Sequence, residues 1–224
     1  MPNWVDNQIA IAGEQEYLDE LIKQVGTPYE NPADGQVIHG HFLLWNIIRP
    51  TNLDAYLGKG EPDESADFSS EDFDPENFIA KAQHQIATGM DWWNWNVRNW
   101  GTKWEVNASA IGETEEGDLE FRFSTAWSPP VEALNKLAEQ YPMLTFGIRA
   151  IDECENFAYV AMWEQGQMVG ERELEVDHGV RMSFYDECWL CEEDINDPEV
   201  IAQRAKDGCD SASIAHLDFE PEED

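Results

Sequence analysis

Basic residues are scarce in this chain beside its acids. Thirteen Lys and Arg face 47 Asp and Glu among 224 residues, a formal net charge of −34. Such a field repels phosphate backbones, which proteins hold by Lys/Arg neutralisation, and it repels anionic membrane surfaces. Direct nucleic-acid binding and membrane-surface binding are therefore disfavoured. Long apolar runs are missing too, none approaching the roughly 18 residues that cross a bilayer. Met1 to Asp6 has neither the basic nor the apolar region of a secretory leader, so the chain is expected in the cytosol. No Gly-rich phosphate loop and no G-x-S-x-G elbow occur. Paired carboxylates for acid–base chemistry cannot be singled out, because 47 candidates place chance pairs everywhere. No cofactor is expected.

Cysteine is sparse: Cys154, Cys188, Cys191 and Cys209. In a cytosolic chain they are expected reduced. Cys188-Trp-Leu-Cys191 is a CxxC, with His178 upstream. A structural zinc site wants a second pair, and Cys154 and Cys209 stand alone. Thiol redox chemistry wants a depressed pKa, whereas Glu192, Glu193 and Asp194 would raise it. A metal- or thiol-dependent enzyme using Cys188, Cys191 and His178 is the alternative reading. Thiols packed as small hydrophobes are the plainer one. His39-Gly40-His41 supplies only two imidazoles, which are read as surface or half-buried histidines.

What is present suffices for a core. Hydrophobic residues make up 42% and aromatics 12%, enough to argue against wholesale disorder. The acids are clustered. Glu61, Asp63, Glu64, Asp67, Glu71, Asp72, Asp74 and Glu76 occur within one span that has no Lys or Arg. Glu113, Glu115, Glu116 and Asp118 form a charged turn, and Asp218 to Asp224 is an acidic tail. The 61–76 span reads as a solvated loop or as an array of negative charge presented to a basic groove. The ligand spacing of an EF-hand is absent. The net charge serves solubility, salt adaptation or the steering of a basic partner, and composition alone leaves all three open.

The stretch Asp91 to Pro130 holds six of the ten tryptophans. It reads as a helix capped by Asp91 and closed by Gly101, then a strand with Trp104, Val106 and Ala108 on one side. After the acidic turn, Leu119, Phe121 and Phe123 alternate in a partner strand. Ser128-Pro129 then reads as the cap and first residue of the next helix. Trp93, Val97 and Trp100 share an i, i+4, i+7 stripe, taken as its core face. Elsewhere, strands are expected at Gln8 to Ala12, Val37 to Ile48, Leu144 to Ala150, Ala158 to Glu164 and Met168 to Glu175. Val180, Met182 and Phe184 suggest one more. Helices are expected at Glu14 to Val25 and after Ser128. Strands outnumber helices and mostly meander, so an α+β antiparallel sheet with helices on one face fits.

Two blocks carry a resemblance. "NWGTKW" (Asn99 to Trp104) and "TAWSPP" (Thr125 to Pro130) are similar to the hallmark blocks of the YubB-type ferredoxin-like domain family of phages, prophages and plasmids. "MPNW" (Met1 to Trp4) with Asn7 resembles its opening. "LLWNIIRP" (Leu43 to Pro50) resembles its short strand block, which usually has phenylalanine where Trp45 sits. The resemblance implies a ferredoxin-like fold and a mobile-element origin, and it implies no activity. It divides the chain into a ferredoxin-like domain at 1–175, with an acidic insertion at about 51–90, and a C-terminal appendage at 176–224. The functional expectation is a non-enzymatic acidic protein in the cytoplasm of a phage or plasmid host. It would bind a basic, nucleic-acid-binding host protein through the acids from Glu61 to Glu76, the Glu113 to Asp118 turn and the C-terminal acids.

Overall fold

The computed structural model describes residues 3–57, 92–114, 117–176, 180 and 184. The elements run β1 (Trp4–Ala12), α1 (Gln15–Val25), β2 (Tyr29–Glu30), β3 (Val37–Ile38), a 3-10 turn (Leu44–Asn46) and α2 (Leu53–Tyr56). They continue with α3 (Trp92–Trp100), β4 (Asn107–Glu113), β5 (Leu119–Ala126), α4 (Val131–Gln140), β6 (Thr145–Asp152), β7 (Ala158–Glu164) and β8 (Gln167–Leu174). Six strands form one antiparallel sheet in the order β4-β5-β1-β6-β7-β8. The unit β1-α1-β4-β5-α4-β6, with β1 between β5 and β6, is the ferredoxin-like arrangement. β7 and β8 extend it as a meander.

Period-2 alternation makes the sheet two-sided. Val5, Ile9 and Ile11 on β1, Phe121 and Phe123 on β5, and Phe146 and Ile148 on β6 are buried on one face. Against them pack Leu18, Leu21 and Val25 of α1 and Ala133, Leu134, Leu137 and Ala138 of α4. These spacings are the apolar stripes of amphipathic helices. The opposite face carries Arg122, Gln8, Arg149, Val160 and Arg172 in one cross-strand row. Arg149 donates to Gln8 Oε1 at 3.1 Å, and its guanidinium lies 5.8 Å from the Phe184 ring centre. Val180 and Phe184 cover Ile151 and Ala158 on that face.

Several expectations change. Val37 to Ile48 is a strand only at Val37–Ile38. Phe42, Leu43 and Leu44 are fully buried without being a strand, because their backbone bonds run to Val25 and to a side chain described below. Val180 and Phe184, read as strand, are helical, at an i, i+4 spacing. The residues of α3 that face the core are Trp95, Asn96 and Trp100, whereas Trp93 and Val97 are 46% and 44% exposed. Hydrogen bonds select this face. Asn96 Nδ2 donates to the Lys103 carbonyl at 2.8 Å, and Trp100 Nε1 donates to the Ile48 carbonyl at 3.1 Å. The strand begins at Asn107, so Trp104 to Val106 precede it. Pro130 occupies the cap position of α4; the Ser128 hydroxyl is used elsewhere. The cap expected at Asp91 lies outside the described residues.

Candidate partner-binding site

The sequence blocks that stand out along the chain meet in space. Ser128 Oγ donates to the Gly101 carbonyl at 2.6 Å, and Thr102 Oγ1 donates to the Ala126 carbonyl at 2.9 Å. Thr125 Oγ1 donates to the Ser128 carbonyl at 2.8 Å and accepts from buried Asn7 Nδ2 at 2.9 Å. Trp100 packs edge-on against Trp45, with centroids 6.4 Å apart. Trp4 lies 6.1 Å from Trp104. Gly101 is the hinge of this junction. Its φ is +83°, and a Cβ there would sit 3.0 Å from Val131 N and 3.2 Å from Glu132 N. Glycine is thus required both for its conformation and for the close backbone approach.

Glu105 braces the junction from below. Its carboxylate accepts from Leu44 N at 2.6 Å, Trp45 N at 3.0 Å, Val106 N at 3.1 Å and Tyr29 Oη at 3.1 Å. It therefore caps the 3-10 turn whose first N–H groups have no intrahelical partner. Burial pushes the Glu105 pKa up, and the four donors pull it partly back. Burial also pushes the Tyr29 hydroxyl up, aided by the Glu105 charge, so Tyr29 remains a donor.

The outer side of the junction is aromatic and exposed. The Lys103 ammonium lies 4.6 Å from the Trp93 ring centre and 4.5 Å from those of Trp104 and Trp127. Each such cation–π contact contributes on the order of 0.5–1 kcal/mol at an exposed site. Trp127 is 43% exposed at φ +71°. A bulky residue in that region costs about 1–3 kcal/mol and persists only where its surroundings determine it. Here they do. Trp127 N donates to the Asn3 carbonyl at 2.9 Å, and the hydroxyl bonds of Thr125, Ser128 and Thr102 hold the backbone on either side.

An open cleft of about 510 Å³ adjoins this surface. Its lining includes the apolar Trp127, Val97 and Phe157 and the acidic Glu132, Glu171 and Glu173. Tyr159 Oη donates to Glu171 Oε2 at 2.5 Å. Burial raises the Tyr159 pKa, and so do its bond to Glu171 and the charges of Glu171 and Glu132. The cleft thus brings aromatic rings and three carboxylates together beside the first turn of α4.

The residues expected from the sequence fare unevenly. Glu113 is exposed and Asp118 half-buried in the β4–β5 turn, where Thr114 N donates to the Asp118 carbonyl at 2.8 Å. That turn lies at the opposite end of β5 from Trp127, roughly 25 Å away at about 3.4 Å per strand residue. Glu115, Glu116, the acids from Glu61 to Glu76, and His178, Cys188 and Cys191 lie outside the described residues. His39 and His41 are exposed, as is Cys154. Among the described residues no group of three or more His, Cys, Asp or Glu could hold a metal, and no helix is long and apolar enough to cross a membrane. Sequence reasoning missed Trp127, Lys103, Glu132, Glu171 and Glu173 as a set. The one available signal was the pair of tryptophan-bearing blocks, which gave no hint of acids contributed by β8.

One comparison, with a family model, agrees with this architecture. A family model described as a ferredoxin-like domain in Api92-like protein matches residues 99–187. That range contains both tryptophan-bearing blocks. Among solved structures, protein Api92 from Yersinia pseudotuberculosis is similar at 10% identity with a TM-score of 0.42, covering 79% of this chain and 99% of that one. No curated protein matches.

Proposed function

We propose that this is a non-enzymatic binding protein of phage or mobile-element origin. Its acidic surface stands in for nucleic-acid phosphates and occupies a basic, nucleic-acid-binding host protein, such as a restriction or CRISPR component. The supporting observation is the excess of acid: 47 Asp and Glu face 13 Lys and Arg, a net charge of −34. The exposed carboxylates on α1, α4 and β8 therefore add to one field, which speeds encounter with a basic surface and makes binding salt-dependent. The mobile-element origin rests on the resemblance of the two tryptophan-bearing blocks, and the cytoplasmic location follows from that origin.

The test is affinity capture from host lysate at low salt and at about 0.5 M, where the Debye length falls to a few ångström. Nucleic-acid-binding proteins should be retained at low salt, displaced by duplex DNA and lost at high salt. An empty capture, or retained proteins that duplex DNA leaves in place, overturns the mimicry. Replacing the acids from Glu61 to Glu76 with Gln and Asn should slow association more than it speeds dissociation. An unchanged association rate would remove that segment from the interface.

A further inference from the structure

We propose that the cleft between Trp127 and β8 is the anchoring point of the partner, and that it takes an arginine side chain of a basic protein segment. This rests on the basic-partner reading above and locates where that partner is gripped. A planar guanidinium stacks on an indole face and forks to carboxylates on its edge, which an ammonium cannot do as well. The cleft lining includes both: the Trp127 indole, and the carboxylates of Glu132, Glu171 and Glu173. The Tyr159 hydroxyl holds Glu171 in place at 2.5 Å. Register sets Glu171 opposite Ala161 and Glu173 opposite Tyr159, so both carboxylates point to the helix-covered side of the sheet, where the cleft lies.

Two observations favour a cationic occupant over an apolar one. The first is Lys103, whose ammonium already sits 4.5 Å from the Trp127 ring centre; this aromatic surface engages a cation within the chain itself. The second is the lining itself, which among the described residues holds three carboxylates and no Lys or Arg. Trp127 held exposed at φ +71° also means that backbone strain is tolerated where an indole is displayed. Occupation by an arginine would give that display a purpose.

The experiment uses the full chain and three capped peptides, identical except for one central arginine, lysine or citrulline. Binding is followed by NMR at the tryptophan indole N–H signals. The arginine peptide should shift the Trp127 signal, the lysine peptide should bind more weakly, and the uncharged citrulline peptide should leave it unmoved. Glu171→Gln combined with Glu173→Gln changes two exposed side chains on an edge strand and should weaken arginine-peptide binding at least tenfold. Trp127→Gly, which suits the positive φ, should do the same. Equal binding of the citrulline peptide, shifts confined to other tryptophans, or full binding by the Gln variant overturns the proposal. The lysate partner separates the two readings. If it binds the Gln variant as tightly as the native chain, the cleft is not its anchor and the charge reading survives. If native chain captures no partner, the charge reading fails whatever the peptides do.

Discussion

At the scale of single residues, the junction depends on groups whose partners are distant in sequence. Gly101→Ala meets both an unfavourable φ and backbone atoms at 3.0–3.2 Å. It should destabilise the protein by about 1–3 kcal/mol in urea unfolding; a loss near zero would mean that α4 shifts freely away from α3. Glu105 gives a pH signature. Its pKa is raised above the ordinary glutamate value of about 4.3, so the folded chain holds that proton more tightly than the unfolded one. Its contribution is fully present below that ordinary value and is lost as pH rises through the raised one. Relative to Glu105→Gln, which cannot titrate there, the native chain should lose stability as pH climbs from about 4 towards neutrality. The opposite slope would show that the four donors outweigh burial. None of this was legible beforehand. Glu105 alternates with Trp104 and Val106 as a solvent-facing strand residue would, and its partners Leu44 and Trp45 lie about sixty positions earlier.

At the scale of elements, alternation and turn chemistry were readable and helix faces were not. β7 was expected at Ala158 to Glu164 and is found there. Gln165-Gly166, between the strands expected at Ala158 to Glu164 and Met168 to Glu175, has both residues at positive φ, as a tight two-residue turn requires. Helix α3 misleads because Trp, Asn and Val fill every side of it. A hydrophobic count chooses Trp93 and Val97, whereas the Asn96 and Trp100 hydrogen bonds choose the adjacent face. Alanine substitution should separate the two. Trp100→Ala, removing a side chain that is 2% exposed, should cost about 3–5 kcal/mol. Trp93→Ala should cost at most about 1 kcal/mol, chiefly the Lys103 contact. Comparable losses would contradict the observed orientation. The Ser128 expectation failed for a related reason: its hydroxyl spans to Gly101, twenty-seven residues away, instead of capping its own helix.

For the whole molecule, an antiparallel sheet with helices on one face was legible from the order of strands and helices, and the ferredoxin-like arrangement from the resemblance of the two tryptophan-bearing blocks. The cleft was not, since it needs α3, α4 and β8 together. Charge dominates at this scale. A chain at −34 repels itself when compact. Raising NaCl from about 0.05 to 0.5 M shortens the Debye length several-fold and should raise the melting temperature. A flat or falling melting temperature would mean that the described surface is already compensated.

The central position of β1 sets an order on synthesis. Ile9 pairs with Phe121 on one side and with Ile148 on the other. Neither neighbour exists when β1 leaves the ribosome. At about 5–20 residues per second, the interval before β5 emerges is roughly 5–20 s. During that time the middle strand of the sheet has no edge to join, and the long loop that must close over it carries the entropy cost of a high contact order. Assembly of the nascent chain therefore waits on its second half, and the hydrophobic face of β1 is what a holding chaperone would meet first.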